Sequence, residues 1–146
     1  NFLGNGYAAY ISVITCYEFT RTAKDFNEVK RKADFLRQWN YLDVDTGLMK
    51  IATVYYNVLG KLRASDTGKL QFHNIKNQFS DADVIIAATA LQKNLLIATF
   101  DANDFPRPLF QELSLFPVAG EHLYLLSPDI GLFEEKVLRI YKEMPR

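Results

Sequence analysis

The stretch FSDADVIIAATALQKNLLIATFDANDF, residues 79–105, decides the fold class that the sequence predicts. Its alanine-rich first half predicts a tightly packed helix, and LLIATFD predicts a buried parallel strand that follows it. Three aspartates stand at the edges of these apolar blocks: Asp81, Asp83 and Asp101. They are either ordinary caps of secondary structure or part of a metal site.

The rest of the chain alternates predicted strands and helices. The segment AAYISVITCYEF reads as a buried strand that runs into a helix, and Asp45 is a candidate N-cap for a long helix. The apolar stripe of that helix consists of Leu48, Ile51, Ala52, Tyr55, Leu59 and Leu62. A proline-containing connection at 106–117 precedes a further strand, HLYLLS, and an amphipathic helix, GLFEEKVLRIYKEM. This alternation predicts an α/β domain whose sheet is mostly parallel.

Composition narrows the possible functions. A chain of 146 residues, 49% of them hydrophobic, suits a single domain, 1–146, with a substantial core. The lone Cys16 cannot form an internal disulfide bond, which favours a reducing, cytoplasmic setting. No run approaches the roughly 18 apolar residues of a membrane span. Formal net charge is zero, which argues against a non-specific RNA coat but not against a nuclease that binds phosphate through cations.

Acidic residues follow or precede several predicted elements. Glu18 follows the strand YISVIT, Asp101 ends the strand LLIAT, and Asp83 begins the helix before it. Because ligands bind beyond the carboxyl ends of parallel strands, we expect Glu18 and Asp101 to meet there, with the placement of Asp83 left open. Glu18 is flanked by Tyr17 and Phe19, so a buried acid there would need a partner or a metal. Converging carboxylates suit a hard cation such as Mg²⁺ or Mn²⁺.

Structural roles compete with this chemistry. Ser80 and Asp83 have the spacing of a capping box, and Asp81 is a plain acid of the first helical turn. Asp101 and Asp104 lie in DAND, a composition that turns favour. Capping engages one carboxylate oxygen, so capping and metal binding both stay open for Asp83.

Taken together, ISVITCYEF and DADVIIAATALQKNLLIATFDANDF resemble the PIN-domain ribonucleases, in particular the VapC-type toxins of toxin–antitoxin pairs. The likeness covers about residues 8–106. It implies a PIN-like three-layer α/β/α fold and an Mg²⁺- or Mn²⁺-dependent endoribonuclease, typically a homodimer held inactive by a cognate antitoxin. The resemblance carries metal-binding and catalytic roles over to Glu18, Asp83 and Asp101. It also implies a site-lining hydroxyl at Thr99 and a structural role for Asp104.

The first ten residues depart from the family pattern. The family begins with a strand that carries a D-T-[N/D/S] motif, and NFLGNGYAAY does not match it. We therefore expect a PIN-like domain that is N-terminally incomplete, without its first strand and first catalytic aspartate. A catalytically inactive PIN-like binding or scaffold domain is the alternative. A small-molecule-binding α/β domain of the response-regulator kind is a third hypothesis, which the lack of an evident late lysine disfavours.

Overall fold

The computed structural model describes residues 6–67 and 79–143, and the chain divides into two compact units, Asn1–Asp45 and Thr46–Arg146. Helices and strands are mixed in both units, in agreement with an α/β class. The predicted departure from the family at residues 1–10 lies partly outside the described residues. Whether the two units form the expected single PIN-like domain stays a prediction.

The first unit contains four elements: β1 (Tyr10–Ser12), α1 (Val13–Arg21), α2 (Phe26–Leu36) and β2 (Asn40–Leu42). Strands β1 and β2 pair in parallel, with Tyr10 opposite Asn40. Ser12 ends β1 because its hydroxyl accepts a hydrogen bond from the Ile14 N–H at 3.4 Å and caps α1. The strand predicted in AAYISVITCYEF does run into a helix, but it ends at Ser12, earlier than its apolar residues indicate.

The second unit contains α3 (Thr46–Thr67), α4 (Asp81–Lys93), β3 (Ile97–Thr99), a 3-10 helix (Ala102–Asp104), β4 (Phe110–Val118), β5 (Glu121–Pro128) and α5 (Ile130–Glu143). Its strands form one sheet in the order β3-β5-β4, and both pairings are antiparallel. The parallel strand predicted from LLIATFD is thus antiparallel to its neighbour β5. Among the described residues, parallel pairing occurs between β1 and β2, so the expected mostly parallel sheet is not what the larger sheet shows.

Helices α3 and α4 form the centre of the second unit, where they pack against each other. The predicted stripe of α3 is buried at Leu48, Ala52, Tyr55 and Leu59, whereas the side chain of Leu62 lies outside the described part. On α4, Ala87 and Ala88 are 0% exposed, and small side chains of this kind let a neighbouring helix approach closely. The alanine-rich helix is therefore an inner element, as its composition predicts.

Strand β4 is the element that the sequence pattern missed. Pro117, which indicated an irregular connection, lies inside β4 opposite His122 of β5. In the described sheet β4 stands at the edge, and an edge strand tolerates proline because one side of its backbone needs no partner. A shift of register between Glu112 and Ser114 further hides the regular alternation of a strand.

Within the described ranges, no helix is long and apolar enough for a membrane crossing.

A two-residue loop joins β4 to β5. Ala119 has φ of +49° and Gly120 has φ of +84°. Two successive positive φ values define the tight hairpin turn whose twist matches that of the strands, and Asn-Gly is the preferred pair there. Ala119 is thus held in a region that costs residues with a Cβ atom about 1–2 kcal/mol.

We expect Ala119→Asn to raise the free energy of unfolding by about 1 kcal/mol, because asparagine tolerates positive φ better than alanine. Urea denaturation measures the change. The matched control, Gly120→Ala, should lower the free energy of unfolding by about 1–2 kcal/mol. Crowding would not explain that loss, since no atom lies within 4 Å of the added Cβ. An unchanged or lower stability of Ala119→Asn would contradict the turn assignment.

Candidate functional site

Asp83 lies at the start of α4, in the capping box that its spacing from Ser80 predicts. The Ser80 hydroxyl accepts a hydrogen bond from the Asp83 N–H at 3.1 Å. In return, Asp83 Oδ2 accepts hydrogen bonds from the Ser80 N–H at 3.1 Å and from the Ser80 hydroxyl at 2.6 Å. Both of these bonds end on Oδ2, so the cap is compatible with a ligand on Oδ1. Asp81 is exposed in the same turn.

Asp101 follows β3 and caps the 3-10 helix. Its Oδ1 accepts a hydrogen bond from the Asn103 N–H at 3.0 Å. The Thr99 hydroxyl accepts from the Asp101 N–H at 3.1 Å and donates to the Asp101 carbonyl at 3.2 Å. The turn role predicted for DAND is confirmed, and Thr99 fixes the backbone that carries the Asp101 carboxylate.

Asp104 lies within electrostatic reach of Asp83 and Asp101, and we call these three residues the acidic cluster. Burial raises the pKa of the half-buried Asp104 carboxyl, and the negative charges of Asp83 and Asp101 raise it further. Because charge effects weaken with distance and solvent screening, this effect indicates that Asp83 and Asp101 each lie near Asp104. Two of the three predicted site residues thus act electrostatically on Asp104, for which the resemblance implied a structural role.

Tyr55 of α3 is a member of this neighbourhood that sequence reasoning placed in the core alone. Its side chain is 1% exposed, and its hydroxyl has no hydrogen-bond partner among the described residues. Burial raises the pKa of Tyr55, and the charge of Asp83 raises it further. The sequence gives only a weak indication of this: Tyr55 is the one residue with a hydroxyl group in the otherwise aliphatic stripe of α3.

Glu18, the third predicted site residue, belongs to the first unit. It lies within α1, six residues beyond the end of β1, rather than directly after a strand. Its carboxylate is 36% exposed and lies 3.7 Å from Arg21, and both Tyr17 and Phe19 are exposed. Glu18 is thus half-buried, and Arg21 is its partner. Its meeting with Asp83 and Asp101 stays a prediction.

The donor chemistry of the acidic cluster suits Mg²⁺ or Mn²⁺, which prefer carboxylate oxygens and water. Over the described ranges, no group of three or more His, Cys, Asp or Glu side chains is arranged to hold a metal ion. Mg²⁺ commonly binds through one or two carboxylates and keeps several waters. A cation held by few protein ligands, with Asp83 and Asp101 as the candidates, stays a prediction.

We expect Asp83→Asn and Asp101→Asn each to lower the pKa of the Asp104 carboxyl, because each removes a negative charge that raises it. Carbon-detected NMR titration of the Asp104 carboxyl measures the shift. Asp81→Asn is the matched control, since it removes the same charge from the same helical turn as Asp83. Equal pKa values in all three variants and the native protein would show that the cluster does not form.

Asp104→Asn should raise the free energy of unfolding at neutral pH by at most about 1 kcal/mol, because the partly solvated charges repel one another weakly. The pKa of Asp104 in the folded protein lies above its ordinary value of 3.8. The charged carboxylate therefore lowers the free energy of unfolding, and this loss is complete above the raised pKa. It disappears as the pH falls below 3.8, where Asp104 is protonated in both states. Urea denaturation of the native protein and of Asp104→Asn, at neutral pH and below pH 3.8, tests whether the gain in stability disappears in acid. A gain that is independent of pH would contradict the electrostatic cause.

Comparison of the chain with protein-family models, curated proteins and solved structures finds no match. The order of the motifs along the chain and the acidic cluster are the features of this protein that bear on its function.

Proposed function

We propose that this protein is a PIN-like, metal-dependent endoribonuclease that cleaves phosphodiester bonds in RNA, the toxin of a toxin–antitoxin pair. The observation that carries the proposal is the acidic cluster, in which Asp83 and Asp101 raise the pKa of Asp104. Two of these carboxylates stand at the positions to which the motif order assigns catalytic acids. An acid with a perturbed pKa, such as Asp104, is a feature of many functional sites.

In this proposal, a bound Mg²⁺ or Mn²⁺ would polarise the scissile phosphate and lower the pKa of a water. Asp83 and Asp101 would hold that cation, the first oriented by Ser80 and the second by Thr99 and Asn103. Asp104, which lies within electrostatic reach of both residues, would be the candidate to accept a proton from the attacking water.

The other features that we propose for this protein are those that the resemblance to the toxin family implies. Glu18 would complete the set of acids, and the three-layer α/β/α arrangement, the homodimer, the cognate antitoxin and the cytoplasmic setting belong with the toxin family. The net charge of zero is consistent with a nuclease in which the cation, rather than a basic surface, attracts the phosphate.

Incubation of the full-length protein with single-stranded RNA tests the proposal. We expect cleavage that EDTA abolishes and that Mg²⁺ or Mn²⁺ restores. Asp83→Asn should reduce the rate about 100-fold or more, because it removes a group that acts on the reacting centre. Asp81→Asn removes an equal charge from the same helical turn and should leave the rate within about twofold.

The absence of cleavage with either cation, together with unchanged cell toxicity of Asp83→Asn, would exclude this function. The second candidate is then the catalytically inactive PIN-like binding or scaffold domain. The capping bonds favour it, since Asp83 and Asp101 both have local structural roles that require no cation. RNA binding that persists in EDTA without cleavage would support this second function.

A further inference from the structure

The first unit has almost no buried core of its own. Among residues 6–45, Ser12 and Leu36 are the buried residues, and Leu36 is the apolar one of the two. The second unit, by contrast, buries apolar side chains along α3, along α4 and in its sheet. Because apolar burial is the main favourable contribution to folding, the two units differ strongly in what keeps them folded.

Aromatic side chains of the first unit remain largely in solvent. Phe19 of α1 contacts Phe35 of α2, with ring centroids 6.0 Å apart, and Phe35 contacts Trp39 at 6.1 Å. Phe35 is nevertheless 51% exposed, and Phe19 is exposed as well. Rings that keep this much surface in water gain only part of the free energy of full burial. The contact between α1 and α2 is therefore weakly stabilising.

Lys32 forms a polar link between α1 and α2. Its ammonium donates hydrogen bonds to the Phe19 carbonyl at 3.0 Å and to the Thr22 hydroxyl at 2.7 Å, at the end of α1. It also lies 4.9 Å from the centroid of the Phe19 ring and 3.6 Å from Glu28. These contacts are partly solvated, and such pairs each contribute little to stability.

The strands of the first unit add little more. Strands β1 and β2 have three residues each, and in the described part of the chain they form a sheet of two strands. A pair of strands needs further strands or a packed helix to be stable. We therefore expect the first unit to unfold locally at a lower free energy than the second.

We propose that the first unit opens and closes as a separate cooperative unit while the second unit stays folded. Elements that change state on binding are drawn from those that open at low free energy. Glu18 lies on α1, so opening displaces the carboxylate to which the resemblance assigns a role in the site. This consequence rests on the proposed function, whereas the opening itself does not.

Hydrogen exchange of the full-length protein, followed by mass spectrometry at increasing urea below the unfolding transition, tests the opening. We expect the slowest amides of α2 to be protected, yet to exchange about 100-fold or more faster than the slowest amides of α4. Their exchange should also depend less on urea, because opening exposes less surface. Equal protection of α2 and α4 in the native protein, or no protection of α2, would overturn the inference. The measurement needs neither RNA nor a cation, so its outcome is separate from the test of the proposed function.

Leu36→Ala removes the buried apolar side chain of the first unit. Exchange in α2 should accelerate about 30-fold or more, or lose all protection, while exchange in α4 stays within about twofold. Leu59→Ala is the matched control, because it truncates a similarly buried leucine of α3 and should accelerate exchange in α4. Equal acceleration of α2 and α4 by Leu36→Ala would show a single cooperative unit and overturn the inference, as would unchanged exchange in α2.

Discussion

The packing of α3 against α4 is the contact on which the rest of the second unit depends. It is possible because α4 presents small side chains, Ala87 and Ala88, toward its neighbours, so that the large residues of α3 fill the space. The same packing also buries a polar group, the hydroxyl of Tyr55. Tyr55 reaches the neighbourhood of Asp83 because the two helices lie against each other, and its hydroxyl is carried into the core with the ring.

Short-range hydrogen bonds orient Asp83 and Asp101 of the acidic cluster, and each of these bonds also stabilises local backbone structure. Ser80 orients Asp83 through the capping box, and Thr99 together with Asn103 orients Asp101 in its turn. Rigid supports of this kind are also what a functional site needs, because a carboxylate that is already held loses little freedom when it binds a ligand. Capping and ligand binding are therefore compatible roles for the same residues.

Charge gives the cluster its chemical character. Burial raises the pKa of the half-buried Asp104, and repulsion by the negative charges of Asp83 and Asp101 raises it further. A divalent cation would remove this repulsion, whereas the described structure contains no group of three or more acids arranged around one point.

The sequence by itself determined the local features of this protein. The capping box of Ser80 and Asp83, the buried stripe of α3, the inner position of α4 and the turn at Asp101 follow from spacing, because each depends on residues within a few positions of one another. The tertiary structure decided the rest. Strand direction, the edge position of β4 and the nearness of Tyr55 to Asp83 depend on residues far apart in the chain. Apolar periodicity records that a segment is buried but not which neighbour covers it or in which direction that neighbour runs.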